Sequence, residues 1–366
     1  MTSIAIPHAP EELTADWLTQ ALRASGTGDQ VTVASFDYAP IAAGAGFLGR
    51  LGRVQPRYAG DAQEAPRSLI AKQPTADARS RQLATIFRFY EREVRFYQEL
   101  APRAGIRVPR AYFGGFDPAS GDFILLLEDL APAEVGDQLR ACTAEQARIA
   151  LDGIADVHAA WWRHPDLDAL GWMPVVNDPL HHFAEMAYQQ CWTPFVDFMG
   201  ADLPADLRRT GERLGSQVVR MLHAMAERPR TLVHGDYRAD NLFFAGRQGG
   251  VELAAIDWQV SFRGCGTFDV AYFLSGNVTP DVRRAHERDW LRAYHARLLR
   301  GGADGYSFDD CWWDYRFGVL YCLVYAVIVI GTLDPTNARG VALFRDTTGR
   351  LATAIAELGA AATMPG

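Results

Sequence analysis

Strand-length and helix-length apolar patterns are distributed unevenly along this chain, and that asymmetry limits its fold more than any single motif. Before residue 130 the dominant period is two. VTVASFDYAP alternates, RLGRVQPRY and SLIAKQP follow with the turn GDAQEAPR between them, and RAYFGGF and DFILLLEDL close the series. One long amphipathic helix interrupts it: RQLATIFRFYEREVRFYQEL, from about Ser80 to Leu100, places Ile86, Phe89, Tyr90, Val94 and Tyr97 three and four residues apart. A shorter helix opens the chain, with Thr14 as its cap and Gly26 as its stop. Beyond LEDLAPAEVGD helical spacing dominates, and strand-sized pieces occur only near TLVHGD, NLFF and LAAID. With 366 residues the chain exceeds the size at which one hydrophobic core stops growing. The expected fold is therefore α+β in two lobes, residues 1–130 and 131–366, with the boundary within Glu128 to Ala133.

A net charge of −8 without a basic block argues against an electrostatic nucleic-acid surface, so no nucleic-acid partner is expected. No membrane partner is expected either. The longest apolar run, Phe317 to Gly331, falls short of the roughly 20 residues a bilayer span needs and reads as a buried helix. The N-terminal stretch carries acids and lacks the basic region and apolar core of a signal peptide. Five scattered cysteines without a CxxC pair point to a reducing, cytoplasmic setting, without a zinc site or a disulfide framework. His181 and His182, being adjacent, point apart on any regular element and make a poor metal pair.

Polar chemistry concentrates in LVHGDYRADNLFF, where His234, Gly235, Asp236, Asp240 and Asn241 lie between two apolar runs. Downstream, LAAIDWQ ends a short apolar run on Asp257. An acid at the end of a buried strand is costly unless positive charge meets it, and a divalent cation would supply that charge. Asn241 and Asp257 offer the hard oxygens Mg²⁺ prefers, in too small a number for a closed cage, so water and phosphate oxygens would complete the shell. Asp236 could then accept the proton of a hydroxyl attacking a phosphoryl group. His234 reads as a brace for the loop backbone.

Lys72, in SLIAKQP, is the one lysine among 36 lysines and arginines. A strand-borne ammonium can bridge nucleotide phosphates while a helix carboxylate holds it. Glu93 is the candidate, because it shares a face with Tyr90 and Tyr97. Glu91 lies about 200 degrees away at roughly 100 degrees per residue. Gly44, Gly46 and Gly49 form G-x-G-x-x-G ahead of a strand-like segment where a dinucleotide fold would place a helix, which gives a hairpin flap over phosphates.

With these residues assembled, the chain resembles the aminoglycoside phosphotransferase and choline kinase-like superfamily. HGDYRADN fits its HGDxxxxN loop and IDW the position of the protein-kinase DFG triplet. EREVRFYQEL, LLLEDL, VHAAWW and LVHGDYRADN make it most similar to the ecdysteroid kinase-like branch and its bacterial relatives, over about residues 40 to 275. The resemblance implies a bilobal protein-kinase-like fold, with a small N-terminal nucleotide-binding lobe and a larger helical lobe carrying the catalytic loop and acceptor site. It implies ATP or GTP with Mg²⁺, and phosphoryl transfer to a small-molecule hydroxyl. By position it makes Asp236 the base and Asn241 and Asp257 the metal ligands, with Lys72 and Glu93 as the phosphate-holding pair. Gly46, Phe47, Leu48 and Gly49 become the phosphate cover, Glu128, Asp129 and Leu130 the adenine edge, and Asp269 the brace of the catalytic loop. Trp258 and Gln259 depart from DFG, leaving no glycine for a switchable loop.

The tryptophans of the C-terminal lobe, among them Trp172, Trp192, Trp290, Trp312 and Trp313, favour a bulky apolar or amphipathic alcohol over a polycation. A protein kinase is the less favoured enzyme reading, because the segment after Asp257 reaches Asp269 in twelve residues and leaves little room for an activation segment. A catalytically silent nucleotide-binding module is the alternative outside enzymes. His158 and the Trp161, Trp162 pair read first as helix-face core.

Overall fold

The structure, a computed structural model, describes residues 4–28, 30–41, 48–60, 62–244 and 252–366. It separates into two compact units. One comprises Met1–Ala104, Val108–Pro132 and Ile256–Val260, and the other Gly105–Arg107, Ala133–Ala255 and Ser261–Gly366. Neither unit is continuous in sequence. Residues 105–107 join the second unit, where the Arg107 carbonyl accepts a hydrogen bond from Ala255 N at 3.0 Å. The short segment carrying Asp257 joins the first.

The first unit is built on β1 (Val33–Ile41), β2 (Gly49–Tyr58), β3 (Leu69–Pro74), β4 (Ala111–Asp117) and β5 (Asp122–Glu128). They pair antiparallel in the order β1-β2-β3-β5-β4. Helix α1 (Ala15–Ala24) starts where the Thr14 side chain accepts from Trp17 N. It buries Trp17, Leu18, Ala21 and Leu22 against Val33, Val54, Leu69, Ala71, Ile124 and Leu126. Side chains alternate across a strand, so Lys72, Phe123 and Leu125 project to the opposite face. There Tyr90 stacks on Phe123 with ring centroids 4.3 Å apart.

The inserted helix is not continuous. α2 (Ala78–Ile86) stops at Phe87, Arg88 adopts the left-handed region at φ +55°, and α3 (Phe89–Arg95) runs on into a wider π turn over Phe96–Leu100. Arg92 donates to the Phe87 carbonyl and Arg88 to Glu91, which closes the break with side-chain bonds. The redirection seats Tyr90, Glu93 and Val94 in the interior and leaves Ile86 49% exposed, so Ile86 drops out of the expected buried stripe.

In the second unit β6 (Glu134–Val135), β8 (Leu242–Phe244) and β9 (Leu253–Ala255) form one small sheet, and β7 (Thr231–Val233) with β10 (Phe262–Gly264) another. The rest is helical: α4 (Ala144–Ala160), α5 (Asp166–Ala169), α6 (Phe183–Met199), α7 (Ala205–Leu214), α8 (Val218–Ala226), α9 (Thr267–Asn277), α10 (Pro280–Arg300), α11 (Phe308–Val329) and α12 (Ala338–Glu357). α11 begins well before the apolar run that marks it in the sequence. Among the described residues it is the one helix long and apolar enough to cross a membrane, and 61% of its apolar window is buried inside the protein. Every residue of α9 except Tyr272 is buried.

Gly266, at the start of α9, touches His158 and Thr231 so closely that a Cβ would lie 2.7 Å from His158 Nδ1 and 2.9 Å from Thr231 Cγ2. Both neighbours are fully buried and have nowhere to retreat. Gly266→Ala is therefore expected to destabilise the protein by about 1–3 kcal/mol, the range for overpacking, read as a lower urea midpoint. An unchanged midpoint would contradict this packing.

Candidate active site

Lys72 occupies the centre of the first unit's sheet, with β2 and β5 on either side, and is 7% exposed. Burying a lysine is tolerable only with charge partners, and it has two. Nζ lies 2.8 Å from Glu93 Oε1, 2.7 Å from Glu93 Oε2 and 2.8 Å from Asp257 Oδ1. Burial works against the ammonium, but the charges of Asp257 and Glu93 outweigh it and raise its pKa above the ordinary lysine value. Burial likewise pushes the Glu93 carboxyl up, to about 7, with Asp257 adding to the rise and Lys72 opposing it.

Asp257 sits at φ +65°, a left-handed conformation uncommon outside glycine and concentrated at functional sites. Its neighbour Trp258 is fully buried and stacks on Phe96, with centroids 4.2 Å apart and planes 7° apart. That stack fastens the IDW segment to the helix that carries Glu93. The tryptophan in the place of a DFG phenylalanine is thus a packing residue.

The remaining expected nucleotide residues fare differently. Gly46 and Phe47, with Gly44, lie outside the described residues. Leu48 precedes β2, and Gly49 opens it opposite Pro74, where a Cβ would lie 3.3 Å from Lys72 Cε. Glu128 ends β5 and accepts from Arg110 N at 2.9 Å. Asp129 is taken up by structure: it accepts from Arg53, from Ser68 at 2.6 Å and from Ala131 N at 3.1 Å. Burial raises its pKa, but these bonds win and hold it below the usual carboxylate range. Leu130 follows on the same half-buried stretch.

In the second unit the HGDYRADN loop is pegged at nearly every residue. Gly235 turns the chain at φ +85°. The fully buried Asp269 accepts from His234 N at 2.7 Å, from Gly235 N at 2.9 Å and shares a hydrogen bond with His158 Nε2 at 3.2 Å. A buried carboxylate needs such donors, since leaving it unpaired costs several kcal/mol in order-of-magnitude terms. Tyr237 donates to the Ala150 carbonyl at 2.6 Å, and Ala239 N donates to Asn277 Oδ1 at 2.8 Å. His234 Nδ1 meets Asp236 N at 3.3 Å.

The Asp236 carboxylate is held from three sides. Oδ2 accepts from Arg238 Nε at 3.1 Å and Asn241 Nδ2 at 2.9 Å, and Oδ1 accepts from Tyr272 at 3.1 Å. Arg238 also reaches Asp240 at 2.9 Å. The Asp236 charge outweighs burial and raises the Arg238 pKa further. Asn241 spends its amide nitrogen on Asp236, bonding both its carbonyl and its carboxylate, which leaves oxygen as the ligand atom. Among the described residues no three His, Cys, Asp or Glu side chains form a metal cluster by themselves.

Four participants escape sequence reasoning. His158, which reads as core, lies between Tyr294 and Asp269. Arg238 belongs to the quoted loop but has no role assigned by its pattern. Tyr272 and Asn277 lie on α9 after Asp269, and the one-turn spacing of Tyr272 from Asp269 is the signal that would find it. The tryptophans expected to line an acceptor site are largely structural. Trp172 and Trp290 are buried, Trp192 packs on Gly211, and Trp312 and Trp313 lie under the guanidinium groups of Arg288 and Arg228.

Removing the Lys72 charge leaves the buried Glu93 carboxylate without its cation, beside the partly exposed Asp257. Lys72→Met is expected to cost about 3–5 kcal/mol at pH 8, the range for breaking a buried pair. Part of the loss should return at pH 5: burial already raises the Glu93 pKa, and losing the opposing Lys72 charge raises it further, so the variant gains more stability than wild type as pH falls. Urea unfolding at both pH values checks this; an equal loss at each would contradict it.

The sequence model of the ecdysteroid kinase-like family matches residues 43–302. No curated protein sequence matches the chain. Solved structures share its fold. A protein assigned as an aminoglycoside phosphotransferase from Ralstonia eutropha superposes with a TM-score of 0.55 at 15% identity, covering 95% of this chain and 99% of that one. A choline kinase from Cryptosporidium parvum gives 0.52 at 9% identity, with 89% and 91% covered. A microcompartment-associated aminopropanol kinase gives 0.51 at 15% identity, with 94% and 98% covered. The α+β kinase-like fold expected from the sequence is thus the fold of these structures, and with its family match spanning most of its length the chain belongs to the ecdysteroid kinase-like family.

Proposed function

We propose that this protein is a small-molecule kinase that moves the γ-phosphoryl group of ATP, or of GTP, to a hydroxyl. The observation that carries this reading is the buried Lys72 held between Glu93 and Asp257. A fold that needed only stability would do as well with apolar residues there, since a buried ion pair rarely gains over a hydrophobic replacement. Placed so, the ammonium holds the nucleotide phosphates. Leu48 and Gly49 open the strand that leaves the proposed phosphate cover, and the backbone of residues 128–130 meets the adenine. Asn241 and Asp257 would be the oxygen ligands of Mg²⁺, which when bound would neutralise phosphate charge. Asp236 receives the proton of the acceptor hydroxyl while His234 and Asp269 keep its loop in shape.

The acceptor is a bulky apolar or amphipathic alcohol. Support comes from the aromatic cluster that begins at Tyr272, the residue bonded to Asp236. Its ring lies 6.0 Å from Phe268 and 5.8 Å from the half-buried Tyr325. One turn beyond Tyr325, α11 exposes Val329. From Phe317 to Leu333 the chain carries no charged residue, which is poor ground for a polycation.

Asp236→Asn is expected to bind ATP within a fewfold of wild type by calorimetry. It should lose transfer of label from γ-labelled ATP to a panel of sterol, macrolide and hydroxyacyl alcohols by about 10²–10⁴-fold, the usual size of general-base catalysis. Retained turnover would remove Asp236 from that role. Nucleotide binding by wild type with no transfer to any acceptor would favour the silent module.

A further inference from the structure

Three side-chain donors hold the Asp236 carboxylate, and two of them come from its own loop. Arg238 and Asn241 both bond Oδ2, and they move with the loop they belong to. The third, Tyr272, bonds Oδ1 from outside it, and no other side-chain donor reaches that oxygen among the described residues. Tyr272 lies on α9, whose Asp269 three residues earlier receives the backbone N–H groups of His234 and Gly235. At that spacing the two residues share one face of the helix. A single buried helix therefore fixes the loop twice, at its backbone and at its reactive side chain.

Two further features mark Tyr272. It is the one α9 residue that is only partly buried, and its ring packs on Phe268 and Tyr325 while its hydroxyl reaches Asp236. Burial, then the neighbouring Asp236 charge, raises its hydroxyl pKa well above the usual tyrosine value, so it keeps its proton and acts as a donor to the carboxylate.

We propose that Tyr272 is a positioning residue for phosphoryl transfer, its hydroxyl setting the orientation in which the Asp236 carboxylate receives the acceptor proton. The role rests on the kinase reading above. It acts through Asp236 and is independent of nucleotide affinity.

Tyr272→Phe keeps the ring against Phe268 and Tyr325 and removes the hydroxyl alone. The assay is release of labelled phosphate from γ-labelled ATP with Mg²⁺, with water as the acceptor, together with any alcohol of the panel that turns over. We expect kcat to fall about 10-fold to 150-fold, the range for loss of one hydrogen bond to a charged group, with KM for ATP within about twofold of wild type. In the Asp236→Asn background the same substitution should cost nothing more, because the group it orients is gone. An unchanged kcat in Tyr272→Phe would overturn the proposal, as would an equal fractional loss in both backgrounds, which would mark a merely structural contact. Wild type that neither releases nor transfers phosphate would overturn the kinase reading, and this role with it; that result is read on the unsubstituted protein and so is distinct from the other two.

Discussion

A lysine in the middle of an antiparallel sheet must either be neutralised or be met by charge, and meeting the charge of Lys72 organises the first unit. One partner must come from a helix lying on that face of the sheet and the other from a chain segment far away in sequence. The helix partner explains why the insertion between β3 and β4 breaks at Arg88. The break lets α3 lie with Tyr90 on Phe123 and Glu93 over the strand, at the expense of exposing Ile86. The distant partner explains why Ile256–Val260 packs with the first unit although its flanks belong to the second. Trp258, stacked on Phe96, supplies an apolar anchor next to the left-handed Asp257.

The second unit repeats the logic with the sign reversed. Asp269 is a buried negative charge, and its compensation consists of backbone N–H groups and His158 in place of a salt bridge to lysine or arginine. Backbone donors have fixed directions, so neutralising this acid also fixes the loop conformation. Asn277 and Tyr272 extend that control along α9. In each unit the residues proposed to act on substrate thus satisfy or border a costly buried charge, Lys72 in the first and Asp269 in the second. Polar groups of this kind add little net stability and much specificity of placement.

Much of this is legible in the chain itself. Period-two patterning locates the five strands of the large sheet to within a few residues, and the solitary lysine and the face shared by Tyr90, Glu93 and Tyr97 point to the pair that forms. The parts that escape depend on tertiary context. Helical spacing extends smoothly through Phe87 and Arg88, because nothing in those side chains signals a left-handed residue. His158 looks like core until Asp269 is seen facing it. The tryptophans look like ligand walls because composition cannot distinguish a ring that meets substrate from one that lies beneath an arginine.

The central claim is that Lys72, Glu93 and Asp257 are assembled for a magnesium nucleotide. Thermal unfolding of wild type and Asp257→Asn with ATP, in the presence and absence of Mg²⁺, tests it most directly. At about 100 times its dissociation constant a ligand adds about 2.7 kcal/mol of stability, so binding is readily seen. The account predicts a magnesium-dependent upward shift in wild type that is lost in Asp257→Asn. Equal shifts in both proteins, or none in wild type with either ATP or GTP, would contradict it.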